Sequence, residues 1–200
     1  MKIITLVNIV FFSFIIPISA QDSGKAEITN LLWKINDGLI QEACVEDCVR
    51  ITFHTVNISP NDNLVIRIYE KNDTGNDDFV TEIICPADGN NSINWIIEFD
   101  ETKNNTSTNE LTENGFTIPE YYFTIKYGEY ISEKSNIIKI YGYIDITLTD
   151  ENTGEVFPNK PYTIYFSNGT KHEGASDENG RIKIRNAIIG DRYIRVGDEE

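Results

Sequence analysis

The feature that most constrains this chain is a two-residue hydrophobic alternation, repeated over short runs and broken by turn residues. Its clearest instance is DCVRITFHTV at 47–56, where Val49, Ile51 and Phe53 alternate with Arg50, Thr52 and His54. Successive side chains of a strand point to opposite faces, so a period of two buries one face and wets the other. NLVIRIYEKND (63–73) repeats the pattern with Leu64, Ile66 and Ile68. AEITNLLWKI (26–35), FVTEIIC (79–85), SINWIIEFD (92–100, with Trp95 set toward a core), EYYFTIKY (120–127) and KSNIIKIYG (134–142) read as further strands. SPND (59–62), TGNDD (74–78) and PADGNN (86–91) carry turn chemistry between them. ETKNNTSTNELTENG (101–115) is a long polar loop with the composition of a disordered segment. About seven strands in roughly 110 residues, with almost no helical periodicity, predict an antiparallel β-sandwich of immunoglobulin or fibronectin-III type.

Near Tyr141-Gly142 the pattern restarts. YIDITLTD (143–150), PYTIYFSNG (161–169) and RIKIRNAIIGDRYIRV (181–196) supply more strands, with a hairpin tip at Ser167-Asn168-Gly169. The expectation is an all-β protein of two tandem antiparallel β-sandwich modules, residues 24–141 and 142–200, in a semi-rigid row.

The first twenty residues are read apart from the fold. Lys2 precedes an apolar run from Ile3 to Ile16, Pro17 breaks it, and Ile18-Ser19-Ala20 sets small residues before Gln21. That is the layout of a signal peptide over 1–20. The run of about 14 residues is short against the about 20 of a membrane span. No membrane span is expected after cleavage, and the protein is expected to be exported: periplasmic, at the cell surface or secreted. The formal net charge of −15 repels nucleic acid and anionic lipid, so neither is an expected partner.

Three cysteines, Cys44, Cys48 and Cys85, are disulfide candidates in an exported chain. An odd count predicts one disulfide and one free thiol, with the pairing open. Catalytic groups are scarce. His54 and His172 are the only histidines, and neither a G-x-S-x-G elbow nor H-E-x-x-H is present. Cys48 and His54 lie about 20 Å apart along an extended strand, too far for a nucleophile and its base. No catalytic residue and no cofactor is assigned, and an enzyme is not expected.

EGASDENGRIKI (173–184) tests the metal question. Asp177 can accept from backbone amides two or three residues on, while Asn179 and Gly180 tolerate a positive φ. An EF-hand loop counted from Asp177 would need a bidentate Glu at its twelfth position, where this chain has Ile188. The stretch is read as a corner between strands. NDTGNDD (72–78), with Asp73, Asp77 and Asp78, is the better of the weak metal candidates, and no metal site is assigned.

The second module resembles the carboxypeptidase-regulatory-like, or transthyretin-like, β-sandwich. The residues that carry the likeness are Asp150 and Gly154, Pro161-Tyr162, Asn168-Gly169, the Gly174, Asp177, Gly180 series, and Gly190 with Tyr193. LVIRIYEKNDTGNDDFVTEI and NWIIEFDE in the first module look like Ig-like segments that precede such modules in bacterial surface and secretion-associated proteins. The resemblance implies a bacterial extracytoplasmic protein of stacked β-modules, and it implies no activity.

The expected function is therefore structural or adhesive: protein–protein contact at the bacterial envelope or in a secreted assembly, through sheet edges that offer backbone pairing. The alternative is a carbohydrate-binding module in which Trp33, Tyr127, Tyr130, Tyr141 and Tyr143 stack on sugar rings.

Overall fold

The computed structural model describes residues 24–72, 75–98 and 118–197. The expected signal peptide and the 101–115 loop lie outside the described residues. All regular structure among the described residues is strand, and no helix there is long and apolar enough to cross a membrane.

The first ten strands are β1 (Glu27–Ile35), β2 (Gly38–Leu39), β3 (Glu42–Cys44), β4 (Cys48–Val56), β5 (Asn63–Glu70), β6 (Asp78–Pro86), β7 (Asn90–Ile96), β8 (Glu120–Tyr127), β9 (Tyr130–Ile131) and β10 (Ile138–Thr147). They are followed by β11 (Pro161–Phe166), β12 (Lys171–Ala175), β13 (Arg181–Ala187) and β14 (Arg192–Val196). One sheet runs β2-β1-β4-β7 and a second runs β13-β10-β8-β5-β6. On the second, β3 pairs in parallel with β10 and β9 pairs with β8. A third sheet runs β12-β11-β14.

The alternation in the sequence becomes the main core. Val49, Ile51 and Phe53 of β4 face Leu64, Ile66 and Ile68 of β5 within one buried cluster, joined by Phe123, Ile125, Ile138 and Ile140. Arg50, Thr52 and His54 take the other face of β4 and are half-exposed. Trp33 is fully buried and meets Phe123 edge-on at 4.9 Å, a favoured ring geometry. Trp95, on the edge strand β7, is only half-buried and closes the rim of the core against Trp33 at 5.8 Å. A second, smaller cluster holds Ile144, Leu148, Tyr162, Ile164, Ile182, Ile184 and Ala187.

The restart at Tyr141-Gly142 is not a break in the chain's structure. The expected strands on either side of it form one ten-residue strand, β10. Its first half pairs with β8 and β3, its second half with β13. Gly142 serves close approach and not a turn. A Cβ there would lie 3.3 Å from the Ala187 carbonyl oxygen and 3.4 Å from Ile189 Cγ1. Glycine thus lets β13 cross β10 where the register shifts between Gly142 and Ile144. Ile189 in turn packs into the first cluster, so the two cores interlock around β10.

Candidate functional site

The corner at 177–180 is built by its own side chain. Asp177 Oδ1 accepts from the backbone N–H groups of Asn179 and Arg181, each at 2.8 Å. Gly180 N–H donates to the Asp177 carbonyl at 3.0 Å, with Gly180 at φ +73°. Gly180 accepts from Leu148 N–H at 2.8 Å, which ties the corner to the end of β10. Asp150 builds a like turn, accepting from Asn152 and Thr153 N–H at 2.9 and 2.8 Å.

Beside this corner lies an open cleft of about 860 Å³, lined by Glu46, Tyr143, Asp145, Thr147, Asp177, Asn179 and Arg181. Arg181 holds Asp145 with both Nε and Nη2, and the Tyr143 hydroxyl donates to Asp145 at 3.1 Å. The guanidinium first, and the tyrosine hydroxyl after it, pull the Asp145 carboxyl down to about 2. A carboxylate so firmly ionised and clamped is a structural anion and a poor general base at neutral pH.

A second set of contacts joins β13 to the β3–β4 turn. Arg185 Nη2 donates to Asp47 Oδ1 and Oδ2 at 2.7 and 2.9 Å, while Cys44 N–H donates to Asp47 Oδ2 at 2.8 Å. The Cys44 thiol donates to Asn186 Oδ1 at 3.1 Å and accepts from Asn186 N–H at 3.4 Å. These bonds, with continuous β10, fix the direction in which the second core extends from the first.

The three cysteines face different surroundings. Cys44 is buried at this joint, Cys48 is exposed, and Cys85 is buried on β6 opposite Leu64. The disulfide expected among them is not formed in the structure, and all three thiols are free. Burial raises the Cys85 thiol above its ordinary range.

The aromatic set expected to stack on sugars is dispersed. Trp33 offers no ring face to solvent because it lies inside the core. Tyr127 and Tyr130 pack against the same core, and the Tyr127 hydroxyl donates to Asp62 at 2.7 Å. Tyr141 and Tyr143 are half-buried on β10 and border separate hollows. The aromatic pair that reaches solvent is instead half-buried Tyr165 and Tyr193, stacked at 4.6 Å with 10° between planes, Tyr193 being 64% exposed. Their signal in the sequence was the alternation of PYTIYF and RYIRV, but only the register Tyr165↔Tyr193 brings them together.

Neither histidine sits in a catalytic arrangement. His54 Nδ1 meets Asn90 Oδ1 at 2.8 Å, and His172 lies along the Tyr162 ring at 6.1 Å. Among the described residues no group of three or more His, Cys, Asp or Glu is placed to hold a metal ion. Asp77 accepts from Asn72 N–H at 3.1 Å, the Tyr122 hydroxyl at 2.5 Å and Lys134 Nζ at 2.9 Å, while Asp73 lies outside the described residues.

Sequence reasoning missed two features. Glu70 ends the inward row of β5 and is only 7% exposed. Desolvation, reinforced by Asp78 opposite it, pushes its carboxyl up to about 7. The other is which strands form the sheet edges expected above, β6 and β14 among them. β6 ends the second sheet with Phe79 58% and Ile84 64% exposed, and β14 ends the third with every residue exposed.

No family model matches the chain, and no curated protein matches it.

Proposed function

We propose that this chain is a non-enzymatic, exported two-module β-protein that makes protein–protein contacts at a bacterial envelope or within a secreted assembly. The observation that carries this reading is the edge strands β6 and β14, each paired on one side only and each exposing large apolar side chains. Exposed edges are ordinarily blunted by charge, proline or a covering loop, because they template pairing with another chain. Here β6 ends the sheet to which β10 belongs, and β14 ends the third sheet, whose β11 packs with the second half of β10 in the smaller core.

The module assignment has support in the strand order. Of seven principal strands in the first part (β1, β4, β5, β6, β7, β8, β10), the first, second and fifth lie in one sheet. The seventh, sixth, third and fourth lie in the other, in that order. That crossover order supports an Ig-like, fibronectin-III-like sandwich over 24–141. The second cluster lies between the end of β10 with β13 and the sheet β12-β11-β14, with the Asp177 corner at one end. That arrangement supports the transthyretin-like reading of 142–200.

The test is capture of partners from the envelope of the host by the purified exported chain, beside an Ile84→Lys variant. Specific capture by the native chain and loss with the variant is the expected result, and no stable partner for either counts against the reading. The Tyr165–Tyr193 stack favours one second reading, carbohydrate binding by a ring platform. A glycan array decides it: a spacer binds nothing, whereas a sugar-binding module loses its signal on Tyr193→Ala.

A further inference from the structure

Six asparagines head the tripeptide Asn-x-Ser/Thr: Asn57, Asn72, Asn90, Asn104, Asn105 and Asn168. In an exported chain that tripeptide is an acceptor for N-linked glycan. In a chain so rich in asparagine the match alone decides nothing, but the structure gives several of these side chains another task. We infer that Asn168 is a glycosylation site, and that its co-substrate is an oligosaccharide carried on a polyprenyl diphosphate. Such a site goes beyond the contact function proposed above and rests only on the export in it.

What holds each carboxamide separates the described positions. Asn57 is left-handed, at φ +56°, a conformation that asparagine tolerates. Its Nδ2 donates to the Lys25 carbonyl at 3.1 Å and would lie 2.8 Å from a Cβ on Gly24, so it is packed against a neighbouring segment. Asn90 opens β7, and its Oδ1 meets His54 Nδ1 at 2.8 Å. Ser92, two residues on, is held in the ladder opposite Thr52 and cannot fold back onto Asn90. Asn72 Nδ2 donates to the Asn76 carbonyl at 2.7 Å. Thr74, Asn104 and Asn105 lie outside the described residues.

Asn168 differs on each count. It sits at the tip of the β11–β12 hairpin, between exposed Ser167 and exposed Gly169. Its φ is not left-handed, so backbone conformation does not call for asparagine there. Its Oδ1 accepts from Thr170 N–H at 3.0 Å and from the Thr170 hydroxyl at 2.6 Å. A carboxylate builds the like turns at Asp150 and Asp177. What the carboxamide adds is Nδ2, which donates to nothing among the described residues. A Cβ on Gly169 would meet nothing within 4 Å, so the tip is open to an incoming group. Ser167 N–H donates to the Asp191 carbonyl at 3.0 Å and pins the tip from the β14 side.

In the transfer, Nδ2 forms a bond to C1 of the first sugar. The bond from C1 to the diphosphate oxygen breaks, and the polyprenyl diphosphate leaves with that electron pair. Nδ2 gives up one proton to a carboxylate of the host transferase. As it does so, negative charge develops on Oδ1, where the two Thr170 donors already point. Those bonds lie within three residues, so they form on the emerging chain as on the folded one, and folding leaves the tip at the surface.

The experiment is peptide mapping by mass spectrometry of the full chain purified from its own host, with intact mass beside it. The expected result is an oligosaccharide on the peptide that holds Asn168 and none on those that hold Asn57 and Asn90. Asn168→Gln removes the added mass. Thr170→Val keeps the shape, loses the hydroxyl and lowers occupancy to a trace, whereas Thr170→Ser retains it. Far-UV circular dichroism checks that every variant keeps its strands. An unmodified Asn168, equal occupancy at Asn57 and Asn90, or full occupancy in Thr170→Val overturns the inference. Fractionation of the same cells separates this result from the reading above. A chain that is exported and unmodified removes the glycan and leaves export standing; a chain that is retained in the cytoplasm and unmodified removes both.

Discussion

Replacing Gly180 by alanine separates two costs that are usually merged. Gly180 sits at φ +73°, and an added Cβ would lie 2.9 Å from the Leu148 carbonyl oxygen, 3.1 Å from Val156 Cβ and 3.2 Å from Phe157 N. The left-handed conformation costs an L-residue about 1 kcal/mol. The contact with Leu148 is with backbone that is itself bonded to Gly180 and to Phe157, so it has little room to yield. Overpacking of that kind costs about 1–3 kcal/mol more. Gly154 and Gly169 are the controls, with φ +74° and +78° and nothing within 4 Å of a Cβ. Their alanine variants should lose about 1 kcal/mol each, and Gly180→Ala about 2–4 kcal/mol. Urea unfolding followed by far-UV circular dichroism measures all three, with unchanged m confirming that the same surface unfolds. Equal losses at the three positions would refute the contact argument. Because β10 belongs to both cores, a single transition is expected, and tryptophan fluorescence from Trp33 and Trp95 in the first core should follow the same curve.

Glu70 gives a pH dependence of defined sign. Its folded carboxyl is raised to about 7, so the folded state holds a proton that the unfolded chain releases above its ordinary value of 4.5. That contribution is complete below about pH 4.5 and is lost as the pH rises through about 7, to a total of about 3 kcal/mol. Between pH of about 5 and 8 the urea midpoint should fall more for the native chain than for Glu70→Gln; parallel slopes would remove Glu70 as the cause. For the thiols, a maleimide pulse on the folded, unreduced protein should label Cys48 quickly, with Cys44 and Cys85 reacting only on unfolding. Intact mass showing a disulfide would contradict the structure on this point. Asp47→Ala removes two bonds to Arg185 and the one to Cys44 N–H and should cost about 1–2 kcal/mol, more than an exposed ion pair alone, as read from the urea midpoint.

Much of the fold was legible because it is local. The alternation of Val49, Ile51 and Phe53 and that of Leu64, Ile66 and Ile68 mark inward faces that the structure keeps. Asp177-Glu178-Asn179-Gly180 forms its corner through bonds within five residues, so its chemistry can be read without knowing what surrounds it. The sugar-stacking set failed for the complementary reason. Trp33 and Tyr165 look alike as aromatic members of alternating runs, and nothing local says which one a second sheet will cover.

By itself, then, the sequence determined that this chain folds into short strands, where they bend, and which face of β4 and of β5 turns inward, because these follow from side-chain chemistry over a few residues. Tertiary structure decided that two expected strands fuse into β10, that Cys44 meets Asn186 rather than another sulfur, that Glu70 loses its water, and that β6 and β14 end their sheets. Those outcomes depend on pairings between residues far apart in the chain, which alternation along a single strand does not specify.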